Sequence, residues 1–113
     1  MHELGLCDAL LKKVDAIVKE NGCEGVNSVT LEIGTLSGVE GQFMADCWKA
    51  VTDGTEYQGT ELIIIDVPGR AQCLNCDEVF TADLNRLECP RCGGRKLNPV
   101  SGRDMTIAEI EAY

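Results

Sequence analysis

The sequence of 113 residues is poor in histidine and in aromatic side chains: His2 is its single histidine, and aromatic residues make up 4%. The His-x-x-His and His-Glu-x-x-His patterns of catalytic zinc sites are therefore excluded. A glycine-rich phosphate-binding loop is also missing, so any energy from nucleotide must come from a partner. With so few aromatics, the core must rest on isoleucine, leucine and valine. We expect no enzymatic activity.

Long hydrophobic runs are missing as well. No apolar segment approaches the roughly 20 residues of a membrane helix, and residues 1–8 lack the basic and apolar regions of a signal peptide. The odd cysteine count, seven, is unlike a disulfide framework and is typical of a reducing compartment. We therefore expect a cytoplasmic protein without membrane contacts.

Basic residues are scarce, with 10 Lys and Arg against 19 Asp and Glu and a net charge of −9. The charge is uneven, because residues 70–97 hold five basic and four acidic residues, whereas the rest of the chain holds five and fifteen. A nucleic-acid-binding zinc ribbon needs basic residues to neutralise phosphates. The charge therefore disfavours a nucleic-acid partner. It is a weak sign of a basic partner, since an acidic surface more often serves only solubility.

Four of the cysteines form two Cys-x-x-Cys pairs separated by twelve residues: Cys73 with Cys76, and Cys89 with Cys92. Four thiolates suit tetrahedral Zn²⁺ at about 2.3 Å per sulfur. Two unrelated thiol pairs, or one redox-active pair, are the alternatives, but a short hairpin that joins both pairs favours one closed site. All four positions are then filled by sulfur, which predicts structural rather than catalytic zinc.

Apolar periodicity predicts an α+β protein with two helices packed on a small mixed sheet and an inserted zinc-ribbon domain. The predicted helices are 6–20 and 39–52, and the predicted strands are 26–33, 62–65 and 105–112. The order strand, helix, strand predicts a right-handed crossover. The predicted domains are a discontinuous α+β domain, 1–69 plus 98–113, and a ribbon domain, 70–97.

The first three residues form a second possible ligand set. The α-amine of Met1, the amide nitrogen of His2 and its imidazole can close adjacent chelate rings around one cation. Such nitrogen-rich planar sets suit Ni(II) or Cu(II). The backbone nitrogen or the carboxylate of Glu3 would add a further ligand. Taken alone, a histidine at position 2 is more often a solvated terminal residue.

Four segments spread over the whole chain form one pattern: Met-His-Glu-Leu at 1–4, the segment 31–40 that ends in Leu-Ser-Gly-Val-Glu at 36–40, the two Cys-x-x-Cys pairs and Ser-Gly-Arg-Asp-Met at 101–105. In this order and spacing they resemble the HypA family of nickel-insertion proteins for [NiFe] hydrogenase maturation. The start combined with the 36–40 segment is specific, whereas the cysteine quartet alone is not. Three further cysteines, Cys7, Cys23 and Cys47, are not part of the family pattern. Cys7 and Cys47 fall on or near the apolar helix faces and are predicted to be small core residues, whereas Cys23 lies in a turn.

The resemblance implies a nickel-binding α+β domain beside a structural zinc ribbon. It implies Ni(II) as transient cargo on Met1, His2 and Glu3, with Glu40 as a further ligand, and Zn(II) on the cysteine quartet. The implied partners are the GTPase HypB and the hydrogenase large-subunit precursor, and urease is an alternative recipient. A zinc-ribbon scaffold without nickel remains the alternative function. The zinc site is either a structural staple or a sensor that alters nickel affinity.

Overall fold

The computed structural model describes residues 2–113, while Met1 and the side chain of His2 lie outside the described part. The α+β class predicted from the sequence is confirmed, with two helices, a mixed sheet and a separate cysteine-rich sheet. In chain order the elements are α1 His2–Glu20, β1 Val26–Gly34, α2 Gly41–Thr52, β2 Glu61–Val67, β3 Arg70–Cys73, β4 Val79–Thr81, β5 Leu97–Ser101 and β6 Met105–Ala112.

The first sheet has the order β2-β1-β6. The Thr60 hydroxyl donates to the Val26 carbonyl at one end, and the Thr35 amide donates to the Val67 carbonyl at the other. The start of β1 therefore lies beside the start of β2, and the end of β1 beside the end of β2. The two strands run parallel, as expected for neighbouring strands joined through a helix. Strand β6 runs antiparallel to β1, since Gly25 pairs with Tyr113 while the Gly34 amide donates to the Asp104 carbonyl. The mixed sheet is therefore confirmed.

One face of β1 and one face of each helix form the apolar core. The alternation predicted for β1 is present, with Val29, Leu31 and Ile33 buried. Trp48 of α2 is 2% exposed, and its indole N–H donates to the Thr60 carbonyl at 2.9 Å. This bond satisfies the one polar atom that a buried tryptophan brings into a core.

Helix α1 begins at His2, whereas the apolar periodicity predicted a start at residue 6. The apolar periodicity does not extend into the first turn, because Leu4, the apolar residue there, is 42% exposed and not part of the core. The turn is held instead by a contact distant in sequence, in which a Glu3 carboxylate oxygen accepts from the Glu40 amide at 3.4 Å. None of the helices between residues 2 and 113 combines the length and apolar character that crossing a bilayer requires.

The cysteine-rich segment forms an antiparallel sheet with the order β4-β3-β5. The sequence predicted this segment only as a hairpin, and it missed β5, because Asn98, Pro99 and Val100 are exposed and show no apolar alternation. Strand β5 pairs with β3 instead through the backbone, with Cys73 opposite Leu97. Backbone pairing of this kind leaves no periodic signal in a sequence.

The chain forms two compact units. Unit 1 comprises Met1–Glu32, Val39–Ile65 and Thr106–Tyr113, and unit 2 comprises Ile33–Gly38 and Asp66–Met105. Unit 2 therefore includes the Gly-Thr-Leu-Ser-Gly loop after β1 as well as the cysteines. The division into folding domains at 1–69 plus 98–113 and at 70–97 stays a prediction, because compactness does not establish independent folding.

Three glycines bring backbones of unit 2 into direct contact. A Cβ at Gly34 would overlap the Gly102 carbonyl, a Cβ at Gly102 would overlap the Gly69 Cα, and a Cβ at Gly69 would overlap the Leu36 side chain. Hydrogen bonds tie the same segments together, since the Leu36 amide donates to the Gly102 carbonyl at 2.8 Å. No other residue lets three chain segments cross this closely.

Tyr57 fixes the loop after α2 onto α1 by donating its hydroxyl to Asp15. This bond, followed by the one from Lys19, lowers the pKa of Asp15 below its usual value. A lowered pKa contributes stability above the ordinary aspartate pKa of about 3.9, and that contribution is lost as pH falls through the folded value. We expect Tyr57→Phe to raise the pKa of Asp15 in a carboxyl NMR titration and to be less stable than the wild type at neutral pH.

The difference in stability between Tyr57→Phe and the wild type should shrink as the pH is lowered. Tyr113→Phe is the matched control, because it removes the same hydroxyl from a tyrosine that is 64% exposed. An unchanged Asp15 titration in Tyr57→Phe would show that the hydroxyl does not set the carboxyl pKa.

Candidate metal centres

The two Cys-x-x-Cys pairs occupy equivalent turns in unit 2. In the first turn the Asp77 amide donates to the Cys73 carbonyl, and in the second the Gly93 amide donates to the Cys89 carbonyl, both at 2.8 Å. The residue after each turn has positive φ, 65° at Asp77 and 73° at Gly93. Glycine adopts this conformation without strain, whereas Asp77 is one of the few residue types that tolerate it.

The four sulfurs of Cys73, Cys76, Cys89 and Cys92 all lie within 4.8 Å of one another, and they are the one such cluster among the described side chains, those of residues 3–113. The two cross-pairs, Cys73 with Cys92 and Cys76 with Cys89, are each separated by 3.6 Å. Tetrahedral Zn²⁺ with bonds of about 2.3 Å requires sulfurs about 3.8 Å apart. The quartet predicted from spacing therefore comes together with dimensions that fit zinc.

Backbone and side-chain N–H groups point at the sulfurs from several directions. Asn75 and Arg91 donate backbone N–H groups to Cys73 and Cys89 at 3.4 Å, and Gly94 donates to Cys92 at 3.3 Å. Such donors stabilise thiolates, which are the form that binds a metal. Two of the donors follow from the Cys-x-x-Cys pattern, because in both turns they lie two residues after the first cysteine.

The thiols of Cys76 and Cys92 have opposite pKa shifts. The Asn75 side chain, followed by the Gly94 backbone and the Cys73 thiol, lowers the pKa of Cys92 to about 6. The Glu78 backbone acts to lower the pKa of Cys76, but burial and the three other thiols outweigh it and raise that pKa to about 12. Four crowded thiols cannot all ionise without a cation, because like charges repel at this distance.

One residue of the zinc site was missed from the sequence, Asn75. The Asn75 side chain donates to the Cys92 sulfur at 3.6 Å across the site. A Cβ at Gly94 would lie 3.1 Å from the Cys92 sulfur and 3.4 Å from the Cys73 sulfur. Gly93 and Gly94 follow the second cysteine pair, where the sequence predicts that a side chain would be in the way, and the contacts at Gly94 confirm this.

The second predicted site, at the N-terminus, is described in part. Met1 and the His2 side chain lie outside the described residues, and the backbone of His2 begins α1. Glu3 and the backbone of Glu40 are brought together by a hydrogen bond that spans 37 positions. Two of the four predicted nickel ligands therefore lie at neighbouring helix starts, since Glu40 is the residue that precedes α2.

The extra cysteines are separate from the zinc quartet. Cys7 is fully buried, and its thiol donates to the Met44 carbonyl at 3.3 Å. Burial, followed by the neighbouring Cys47 and Glu3, raises the pKa of Cys7 to about 11, so it is an unreactive thiol. Cys47 and Cys23 are half-buried. The prediction of a core position is confirmed for Cys7, whereas Cys47 is only half-buried.

The sequence matches a known family over nearly its whole length. A family described as "Hydrogenase/urease nickel incorporation, metallochaperone, hypA" matches residues 1–112. The chain belongs to the HypA family. Among its relatives, the hydrogenase maturation factor HypA of Dechloromonas aromatica is 39% identical over 111 residues, 98% of both chains. The HypA of Beijerinckia indica is 36% identical over 112 residues, also 98% of both chains.

Solved structures of HypA proteins have the same fold. The Ni metallochaperone HypA of Helicobacter pylori superposes with a TM-score of 0.68 at 19% identity, over 97% of this chain and 96% of that one. A second HypA solution structure gives 0.70 at 20% identity, over 100% and 97%. The family model and the two relatives confirm the family membership predicted from the sequence motifs, and the family is described as metallochaperones for nickel incorporation into hydrogenase or urease.

Proposed function

We propose that this protein is a cytoplasmic nickel carrier that binds Ni(II) at its N-terminus and delivers it, with the GTPase HypB, to the [NiFe] hydrogenase large-subunit precursor. The observation that carries the proposal is the family match, which begins at residue 1 and so includes the Met-His-Glu start. Urease is the alternative recipient, because the family description names it as well. The protein acts as a carrier and not as an enzyme.

The ligands in this proposal are the Met1 amine, the backbone and imidazole nitrogens of His2, and Glu3, with Glu40 as a further oxygen donor. The amide of His2 is the first in α1, and an α-helix leaves its first N–H groups without an intrahelical acceptor. The positive end of the helix dipole opposes a cation at this position. Carboxylates at Glu3 and Glu40 offset that repulsion, which supports their role.

The cysteine quartet holds Zn(II) as a structural ion in this proposal. Four sulfurs complete the tetrahedron, so no coordination position remains open for a substrate or for nickel exchange. The sensor alternative would require nickel affinity to change when zinc ligation changes. The staple is favoured because unit 2 buries little apolar surface besides its cysteines.

The proposal is tested by titrating Ni(II) into zinc-loaded protein with a free N-terminus. We expect one nickel per chain, and we expect His2→Ala to weaken nickel binding at least about 100-fold. Removing a residue that only orients a metal ligand costs up to about 100-fold in affinity, and removing the ligand itself should cost more. Binding releases protons from imidazole and amide, so affinity should fall from about pH 8 to about pH 6. Calorimetry measures the affinity and the proton release.

A pair of extended proteins controls this experiment. Two residues added before Met1 block the amine and should abolish binding, whereas the same two residues added after Tyr113 should leave the affinity unchanged. Equal nickel binding by the wild type, His2→Ala and both extended proteins would exclude the N-terminal site. The zinc-ribbon scaffold without nickel would then be the better account.

A further inference from the structure

Helices α1 and α2 lie side by side in unit 1 and run in the same direction. Three contacts show this: Glu3 accepts from the Glu40 amide, Cys7 donates to the Met44 carbonyl, and Asp15 accepts from Tyr57, just beyond α2. The partners advance along both segments in the same order. The two helices therefore have their first turns together, at the proposed nickel end.

The outer side of α1 is marked by Asp15, which faces the loop after α2. From Cys7, which contacts α2, successive residues rotate by about 100° each. Leu4 and Leu11 lie about 60° and 40° from Cys7 toward the side of Asp15, whereas the buried Leu10 lies about 60° the other way. Two leucines of α1 thus flank its contact with α2 on the side away from the core.

The corresponding side of α2 carries Phe43 and Cys47. Trp48 and Gly41 face the first sheet, since the Trp48 indole bonds to the Thr60 carbonyl and Gly41 lies against Ile64. By the same rotation, Phe43 and Cys47 lie on the opposite side of Met44 from Trp48. Their side therefore meets the Leu4 and Leu11 side of α1. We call the space bounded by Leu4, Leu11, Phe43 and Cys47 the outer groove.

The outer groove exposes apolar side chains in one place. Phe43 is 58% exposed and Leu4 42% exposed, while Leu11 and Cys47 are half-buried. A single exposed leucine is ordinary on a protein surface. A phenylalanine and a leucine from two adjoining helix starts form a patch, and covering such apolar surface favours binding.

A cavity of about 540 Å³ continues the groove along α1. Leu11 belongs to both, and the other walls include Asp8, Asp15, Glu56 and Tyr57. Lys12 is the one basic side chain in the lining, and it is paired with Asp8 at 3.1 Å. Asp15 is likewise paired with Lys19 at 2.9 Å, so Glu56 is the remaining carboxylate of the lining. An apolar floor edged by carboxylates suits the aliphatic stem and charged end of a lysine or arginine.

The charge of the whole chain is concentrated on the unit that holds this groove. Unit 1 contains thirteen acidic and four basic residues, whereas unit 2 contains six of each. Glu40 and Asp46 lie along α2 beside Phe43, and both are exposed. An approaching basic segment would be attracted, and an acidic one repelled.

We infer that the outer groove is the docking site for an amphipathic basic segment of a partner protein. The partner's apolar side chains pack against Leu4 and Phe43, and one of its lysine or arginine side chains enters the cavity. A second copy of this chain is a poor occupant, because its own groove is acidic. The inference goes beyond the nickel site, and it stands or falls independently of where nickel binds. A partner docked here lies beside the first turns of both helices.

The test uses zinc-loaded, ¹⁵N-labelled protein and two synthetic helical peptides with the same leucine pattern. One peptide carries lysine at every polar position and the other carries glutamate. We expect the lysine peptide to shift the amide signals of Leu4, Leu11, Phe43 and Cys47, and the glutamate peptide to shift none. Phe43→Ser should weaken binding of the lysine peptide at least tenfold, while the spectrum of the free variant should match that of the wild type apart from signals next to residue 43.

Val100→Ser is the control for Phe43→Ser, because Val100 is also an exposed apolar residue, 56% exposed, but lies in unit 2. This substitution should leave the peptide affinity unchanged. Equal affinity of Phe43→Ser and wild type, signal shifts that map to another surface, or equal binding of both peptides would each overturn the inference. A dimer in sedimentation that Phe43→Ser dissociates would also overturn it, because the occupant would then be a second copy.

Discussion

Replacing Cys89 with serine is expected to abolish zinc binding and to unfold β3, β4 and β5. The buried apolar side chains described in unit 2 are Ile33, Ala71 and Ala82, besides Cys73 and Cys89 themselves. Three such side chains cannot hold this sheet, whereas zinc supplies on the order of 10 kcal/mol of folding energy. Amide hydrogen exchange should show lost protection from residue 70 to residue 101, with α1 and α2 still protected.

Cys23→Ser is the matched control for the zinc prediction, because Cys23 is a half-buried thiol outside the quartet. It should retain one zinc and the wild-type exchange pattern. A Cys89→Ser protein that has lost zinc but keeps protected amides in β3 would contradict the account of zinc as the principal stabiliser of this unit. Nickel titration of the same variant also addresses the sensor alternative, which requires a changed affinity.

The second large effect is expected at the glycine crossing, where Gly34→Ala should destabilise the protein by about 3 kcal/mol or more. The added Cβ overlaps the Gly102 carbonyl, and the Arg103 amide nitrogen lies 2.8 Å away. Backbone atoms cannot rotate out of the way as the end of a side chain can, so whole segments must move. Urea unfolding, followed through the Trp48 fluorescence and through amide signals of unit 2, measures the loss.

Gly5→Ala provides the control for the glycine prediction, because a Cβ at Gly5 meets nothing within 4 Å and the residue lies inside α1. Alanine in a helix interior should stabilise by about 0.5 to 1 kcal/mol. If Gly34→Ala and Gly5→Ala have similar free energies of unfolding, the close backbone contact at Gly34 does not require glycine, and the prediction is wrong.

Much of this fold could be predicted from the sequence because its signals are local. The alternation in β1, the apolar stripe of α1 and the spacing of the cysteine quartet all involve residues a few positions apart. The start of α1 could not be predicted, since the Glu3 contact that holds its first turn reaches 37 residues along the chain. The crossing of Gly34, Gly69 and Gly102 was invisible for the same reason.

The two candidate sites differed in how far the sequence defined them. The zinc quartet needed only spacing, and the structure brings its sulfurs within 4.8 Å of one another. Met1, His2 and Glu3 were recognised as a possible ligand set from their donor atoms, and the family resemblance made nickel the expected metal and added Glu40. The structure adds only that Glu3 lies against the backbone of Glu40. The outer groove had no sequence signal at all, because Leu4 and Phe43 become neighbours only when the two helices pack.

The central claim, that nickel is carried by the N-terminus and zinc by the cysteines, is tested most directly by X-ray absorption at the nickel edge. The sample is zinc-loaded protein with a free N-terminus and one equivalent of Ni(II). The account predicts nitrogen and oxygen ligands with the scattering pattern of one imidazole and no sulfur. A nickel–sulfur shell, or a spectrum without imidazole, would contradict it by placing nickel on the cysteines or away from His2.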